Sequence, residues 1–163
     1  MTTIKLLALD ASSTCTGWSL FDSGEYVDSG YIDLHKNKNS EHRLYEMATK
    51  ICELISHCNP DKIIMEDTFS TPNVSTLKVL ANLAGAVKFY CYTNKIEVEM
   101  IMPSAWRKIL GIQEKGAKRY DLKFKALEVA DEQLGLGWLE EDRAEAVCIG
   151  LSVCARDGLT ELK

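Results

Sequence analysis

Hydrophobic and polar positions alternate differently along the two halves of the chain. Ile4 to Asp10 is a near-continuous apolar run, the pattern of a strand buried on both faces. Ser12-Ser13-Thr14 makes a polar turn, and Gly17 to Phe21 reads as a second strand. Asp22-Ser23-Gly24 is a hairpin signal leading into a third strand, Tyr26 to Leu34. Gly30 inside that strand predicts a bulge or a close approach. From Leu44 the period lengthens, and Met47, Ala48, Ile51, Leu54 and Ile55 keep helical spacing until Asn59-Pro60 stops it. Lys62 to Glu66 is a short apolar strand. Asn73 or Ser75 opens a long helix through Leu77, Leu80, Leu83, Ala84, Val87 and Cys91. Ile96 to Ile101 is another strand, and Pro103-Ser104 opens a short helix to Leu110. A loop from Gly111 to Gly116 precedes a helix over about Ala117–Ala130, and a last helix begins near Glu140. The order β-β-β-α-β-α-β-α-α-α predicts an α/β fold, a five-stranded mixed sheet flanked by helices.

Length and composition narrow the classes. The chain has 163 residues, 46% of them hydrophobic, enough for one domain (1–163) with a real core. No apolar run approaches the roughly 18 residues of a membrane span, and the N-terminus reads as neither signal nor transit peptide. Cysteines at 15, 52, 58, 91, 148 and 154 form no Cys-x-x-Cys and fit no zinc spacing. They read as small buried hydrophobes in a reducing compartment, so a cytoplasmic protein is expected. The net charge is −5 but unevenly spread: residues 102–125 carry +5, between stretches of −4 and −6. One basic stripe on an acidic protein suits local contact with a phosphate backbone, or else is a solvated helix face.

The carboxylates carry the chemistry. Asp10 ends the first strand on the face of Leu6 and Ala8, and Glu66 ends the fourth on the face of Ile64. In open α/β sheets, sites gather at such C-terminal strand ends. In the last helix, positions 142, 145, 149 and 153 share a stripe, so Asp142 and Glu145 head a row continued by Ile149 and Val153. Ala144, Val147, Cys148, Leu151 and Ala155 flank it, leaving Arg143, Gly150 and Asp157 as the polar wedge. Each acid has a simpler role open to it. Asp142 and Glu145 would suit a helix N-terminus or cap, Asp10 an Asx-turn, and Glu66 a buried ion pair. Together they point elsewhere, because carboxylates about 4 Å apart repel by roughly 4 kcal/mol at an effective dielectric near 20. They coexist when protons or cations intervene. An all-oxygen set selects hard cations such as Mg²⁺ or Mn²⁺, and a pair of such ions suits phosphodiester displacement.

These motifs resemble the RuvC-type Holliday-junction resolvases of the ribonuclease H-like superfamily. Leu6-Leu7-Ala8-Leu9-Asp10 with Ser13 and Thr16-Gly17-Trp18 is similar to that family's first strand and turn. Ile63-Ile64-Met65-Glu66 resembles its second acidic strand, and Asp142-Arg143-Ala144-Glu145-Ala146 its closing helix. The resemblance implies a ribonuclease H-like fold and a structure-selective endodeoxyribonuclease that resolves four-way and related branched DNA. It assigns Asp10, Glu66, Asp142 and Glu145 to two Mg²⁺ or Mn²⁺ ions. It further implies that Phe69 stacks on a base and that Lys118 lies near the scissile phosphate, with Arg107, Lys115 and Arg119 on the backbone. It implies a homodimer paired through the helix from Asn73, in the cytoplasm of a bacterial cell or phage-infected host. Two departures stand out: Asp10-Ala11-Ser12 replaces the usual Asp-Pro-Gly, and Glu145 replaces an Asp. A ribosomal-RNA-processing nuclease of the same superfamily and a metal-free branched-DNA-binding protein are the alternatives. An actin-like kinase half needs a second domain and an adenosine pocket, so no nucleotide cofactor is expected.

Overall fold

The structure is a computed structural model that describes residues 3–67 and 71–163. Its sheet consists of β1 (Lys5–Asp10), β2 (Cys15–Asp22), β3 (Glu25–Asp33), β4 (Lys62–Glu66) and β5 (Glu97–Ile101). Its helices are α1 (Ser40–Cys58), α2 (Val74–Thr93), α3 (Pro103–Ile109), α4 (Arg119–Leu134) and α5 (Glu141–Arg156). The strands lie in the order β3-β2-β1-β4-β5. β1, β2 and β3 pair antiparallel as a meander, while β1–β4 and β4–β5 are parallel; α1 carries the chain from β3 back to β4, and α2 crosses from β4 to β5. The expected mixed five-stranded sheet is present, in the expected chain order.

The period of two in β1 and β4 divides the core. Leu7, Leu9, Ile63 and Met65 face α1 and α2, where they meet Met47, Ile51, Ile55, Leu83, Val87 and Cys91. Leu6, Ala8 and Ile64 face the other way, toward Trp106, Ala126, Ala130 and α5. Asparagine caps set two helix starts: Asn39 accepts from the His42 N–H at 3.0 Å, and Asn73 from those of Ser75 and Thr76. Asn59, with φ of 48°, ends α1 in the left-handed conformation that asparagine tolerates.

One local expectation resolves to one of its two alternatives, and two others change. Gly30 marks a close approach: a Cβ there would stand 2.8 Å from the Trp18 ring. The register shift falls between Leu20 and Phe21 instead. Gly150 belongs to no polar wedge, because α5 is buried on every side from Ala144 to Cys154. A helix lying across the middle of a sheet, with α3 and α4 over it, has no solvent face to mark. Leu83, on the helix through which the resemblance implies pairing and there a candidate for the interface, points into the α1–α2 core instead. All six cysteines are free thiols, and among the described residues no helix is long and apolar enough to cross a membrane.

Candidate active site

Parallel pairing of Leu9 with Met65 brings Asp10 and Glu66 to adjacent strand ends on the α5 side of the sheet. The first turn of α5 is fastened beneath them. The Ser19 hydroxyl donates to the Ala146 carbonyl at 2.7 Å, and the Arg143 Nε donates to the Ser29 hydroxyl at 2.7 Å. Gly17 of β2 lies so close that a Cβ would stand 1.9 Å from the Asp142 carbonyl oxygen. This packing brings carboxylate oxygens of Asp10, Asp142 and Glu145 within 4.8 Å of one another. Glu66 stands at their edge and accepts a hydrogen bond from the indole Nε1 of Trp106 at 2.6 Å.

Most of the simpler roles fall away in this geometry, although Asp142 does lie in the first turn of α5, where the helix dipole favours an acid. Glu140, not Asp142, takes the N-cap position of α5. The turn after β1 is closed by the Ser12 hydroxyl, which donates to the Cys15 carbonyl, and by Thr16, which donates to the Ser12 carbonyl. Glu66 is engaged by an indole rather than by an ion-pair partner. Burial, followed by the charges of Glu145, Glu66 and Asp142, holds the Asp10 carboxyl well above the usual carboxylate range. Burial also lifts Glu66 to about 7, with the Trp106 hydrogen bond opposing and the Glu145 charge adding to the rise. The neighbouring Cys15 thiol is pushed up to about 12 by burial and by its hydrogen bond to Asp142, so it stays protonated. Carboxylate oxygens this close, with Asp10 and Glu66 held protonated chiefly by burial, are chemically suited to a hard divalent cation.

Basic residues surround the acids unevenly. Lys115, Lys118 and Arg119 are exposed, with Lys118 at the N-cap of α4, where its backbone N–H donates to Asp121 at 2.9 Å. Arg107 is committed within the protein: it pairs with Glu114 at 3.0 Å and its guanidinium lies 5.0 Å from the Trp106 ring centre. Phe69 lies outside the described residues. Two residues escaped the sequence reading. Trp106 looks like an ordinary core residue until its Nε1 meets Glu66, across 40 positions of sequence. Lys123 pairs with Glu141 at 2.6 Å, and the charges of Glu145 and Asp142 also raise its pKa. Only its place in the basic stripe signalled it.

The mixed β3-β2-β1-β4-β5 sheet, with an acid cluster between its central strand ends and a covering helix, defines the ribonuclease H-like class of protein. Residues 6–125 match the sequence model of the family described as "Crossover junction endodeoxyribonuclease RuvC", and the chain belongs to that family. It is 24% identical over 159 residues to the enzyme of that name from Prochlorococcus marinus, covering 95% of this chain and 99% of the relative. Identity to that from Caldicellulosiruptor saccharolyticus is 23% over 105 residues, covering 61% of this chain but only 63% of the relative's length, under two thirds. Among solved structures it is similar to Thermus thermophilus RuvC in complex with a Holliday junction substrate. That match has a TM-score of 0.71 at 14% identity and covers 98% of this chain and 99% of the other. RuvC-family nucleases use divalent metals, and this chain holds the acid cluster for one.

Two predictions arise from the site. Trp106→Phe removes the only indole N–H from Glu66, and a hydrogen bond to a charged group is worth roughly 1.5–3 kcal/mol. The Glu66 carboxyl then rises further, and the acid limb of the cleavage rate against pH moves up by about one unit. An unmoved profile in a folded variant would show that the bond does not tune Glu66. The second concerns stability without metal. Glu66 has a folded pKa of about 7, above its unfolded value, so the fold loses stability as pH rises toward 7. Glu99, held down to about 2 by Arg156 and Lys62, loses its contribution as pH falls from 4.5 toward 2. Thermal melts in chelator are therefore expected to peak near pH 4.5–5, between the two windows, and excess Mn²⁺ to raise the melting temperature most at pH 7 and above.

Proposed function

We propose that the chain is a structure-selective endodeoxyribonuclease that cuts four-way junctions and related branched DNA by metal-assisted phosphodiester hydrolysis. The observation that carries this reading is the convergence of Asp10, Asp142 and Glu145 within 4.8 Å, with Glu66 at its edge, in a chain of the RuvC family. Asp10, Asp142, Glu145 and Glu66 hold two Mg²⁺ or Mn²⁺ ions. When bound, the ions supply Lewis-acid activation of water and offset charge on the scissile phosphate. Asp10 is the acid that the other three surround electrostatically. Trp106 orients Glu66, and the bolts from Ser19 and Ser29 fix where α5 presents Asp142 and Glu145. Lys115, Lys118 and Arg119 offer exposed cations to the DNA backbone, and Phe69 a ring to a base.

Symmetric cutting of a four-way junction needs two such sites facing opposite strands, so the reading includes a two-fold homodimer. Its support is α2. With Leu83, Val87 and Cys91 turned inward, this helix still shows Val74, Ala81, Phe89 and Tyr92 to solvent. Phe89→Glu is then the appropriate disrupting variant. The test is incubation of labelled four-way, three-way and linear DNA, and of structured RNA, with protein and Mg²⁺ or Mn²⁺. Paired nicks near the branch in a cation-dependent reaction are expected. Cleavage of RNA alone, or binding without cleavage in either metal, would overturn the reading. A wild-type protein that sediments as a monomer on a junction would remove the dimer from it.

A further inference from the structure

We propose that Trp138, with Phe124 and Tyr120, forms a second stacking platform that receives an unpaired base at the branch of the DNA substrate. The inference rests on the junction-nuclease reading above and adds to it a further binding surface.

Large aromatic side chains are the residues with most to gain from burial, so an exposed group of them signals a partner. Trp138 is 74% exposed, Tyr120 73% and Phe124 42%. They do not stand apart. Tyr120 and Phe124 are one helical turn apart on α4, and the Phe124 and Trp138 rings lie 5.5 Å centre to centre at 50°. The turn that carries Trp138 is built. Gly135 closes α4 with φ of 66°, and the Asp131 carboxylate accepts the Gly137 N–H at 2.8 Å. Leu136 and Leu139, on either side of the tryptophan, pack into the core. The chain thus turns both leucines in and the indole out.

The surroundings choose the partner. Lys118 and Arg119 are exposed beside Tyr120, and Lys123 sits beside Phe124, in the only strongly basic stretch of a chain whose net charge is −5. Lys123 is paired with Glu141, and Glu140 and Glu141 follow Trp138, so the exposed cations here, Lys118 and Arg119, stand at the Tyr120 end of the rings. Aromatic faces with cations at one end suit a polyanion that also offers flat apolar faces, which is single-stranded nucleic acid. Position agrees, because Lys123 bonds Glu141, the residue before Asp142 in the acid cluster. Continuous duplex has no free base face to offer, so the platform favours branch points, where stacking is interrupted and a terminal pair can open.

The test uses a four-way junction carrying 2-aminopurine at the branch, with a perfect duplex as reference, and compares wild type with Trp138→Ala and Trp138→Phe. Stacking of a base on an aromatic ring corresponds to about 5- to 150-fold in affinity. Trp138→Ala is expected to weaken junction binding by that range and abolish the fluorescence change, leaving duplex binding as it was. Trp138→Phe is expected to retain most of both. The slope of log affinity against log salt is expected to stay fixed, because no phosphate contact is lost. Junction affinity within twofold of wild type and an unchanged 2-aminopurine signal in Trp138→Ala would overturn the platform, while wild-type junction cleavage in the same experiment would leave the nuclease reading standing. A change in sedimentation without a change in junction affinity would also overturn it, marking a protein interface. Wild type that fails to distinguish junction from duplex would overturn both.

Discussion

Asp10→Asn is expected to reduce cleavage of a four-way junction by at least about a thousandfold while leaving the protein bound to it. Loss of several kcal/mol of charge stabilisation at the reacting phosphate, at 1.36 kcal/mol per factor of ten, sets that scale. The amide keeps the shape of the side chain and removes its charge from the centre of the cluster. The same exchange is expected to stabilise the metal-free fold. Asp10 is held well above its usual pKa by burial and by Glu145, Glu66 and Asp142, so its ionised form is under repulsion in the native state. A melting temperature in chelator several degrees above wild type, paired with a smaller gain on adding Mn²⁺, is the expected signature. A variant that cuts at the wild-type rate, or that melts below wild type in chelator, would remove Asp10 from the metal site.

The second large effect comes from a residue with no side chain. At Gly17 a Cβ would stand 1.9 Å from the Asp142 carbonyl oxygen, 2.3 Å from its carbon and 2.8 Å from the Arg143 nitrogen. These are backbone atoms of a helix buried across the sheet, so neither a rotamer change nor a flexible tip can absorb the clash. Gly17→Ala is expected to cost about 3 kcal/mol or more, and whatever folds would carry Asp142 and Glu145 displaced from Asp10. Gly85→Ala is the control, since that glycine is exposed in α2 and nothing lies within 4 Å of an added Cβ. It is expected to stabilise the monomer by roughly 0.5–1 kcal/mol through helix propensity. Urea melts of the two variants settle both signs. A Gly17→Ala protein as stable as wild type would show that α5 sits looser on β2 than the geometry states.

Much of this was legible in the chain because two different periods point at one place. A repeat of two in Leu6-Leu7-Ala8-Leu9-Asp10 and in Ile63-Ile64-Met65-Glu66 assigns Asp10 and Glu66 to definite faces, and the structure puts those faces toward α5. The repeat of 3.6 in α5 likewise put Asp142 and Glu145 on the row of Ile149 and Val153. What escaped was whatever depends on contact rather than period. Gly150 reads as a polar gap, but it is small because Phe21 and Ser19 press on it from β2. Leu83 and Leu80 look equivalent in a helix apolar nearly all round, and only packing on α1 and the sheet makes one of them core. Trp106 and Glu66 are far apart in sequence, and nothing local joins an indole N–H to that carboxylate.

The seating of α5 ties assembly of the acid cluster to completion of the fold. Its acids are translated long after Asp10 and Glu66, and the helix that bears them is also the buried slab on which one face of the sheet closes. A nascent chain that has emerged only as far as α4 therefore lacks two of the four acids of the site and the helix that covers one face of the sheet. A chain truncated before Asp142 is expected neither to fold stably nor to gain melting temperature on adding Mn²⁺, which thermal melts with and without the cation would check.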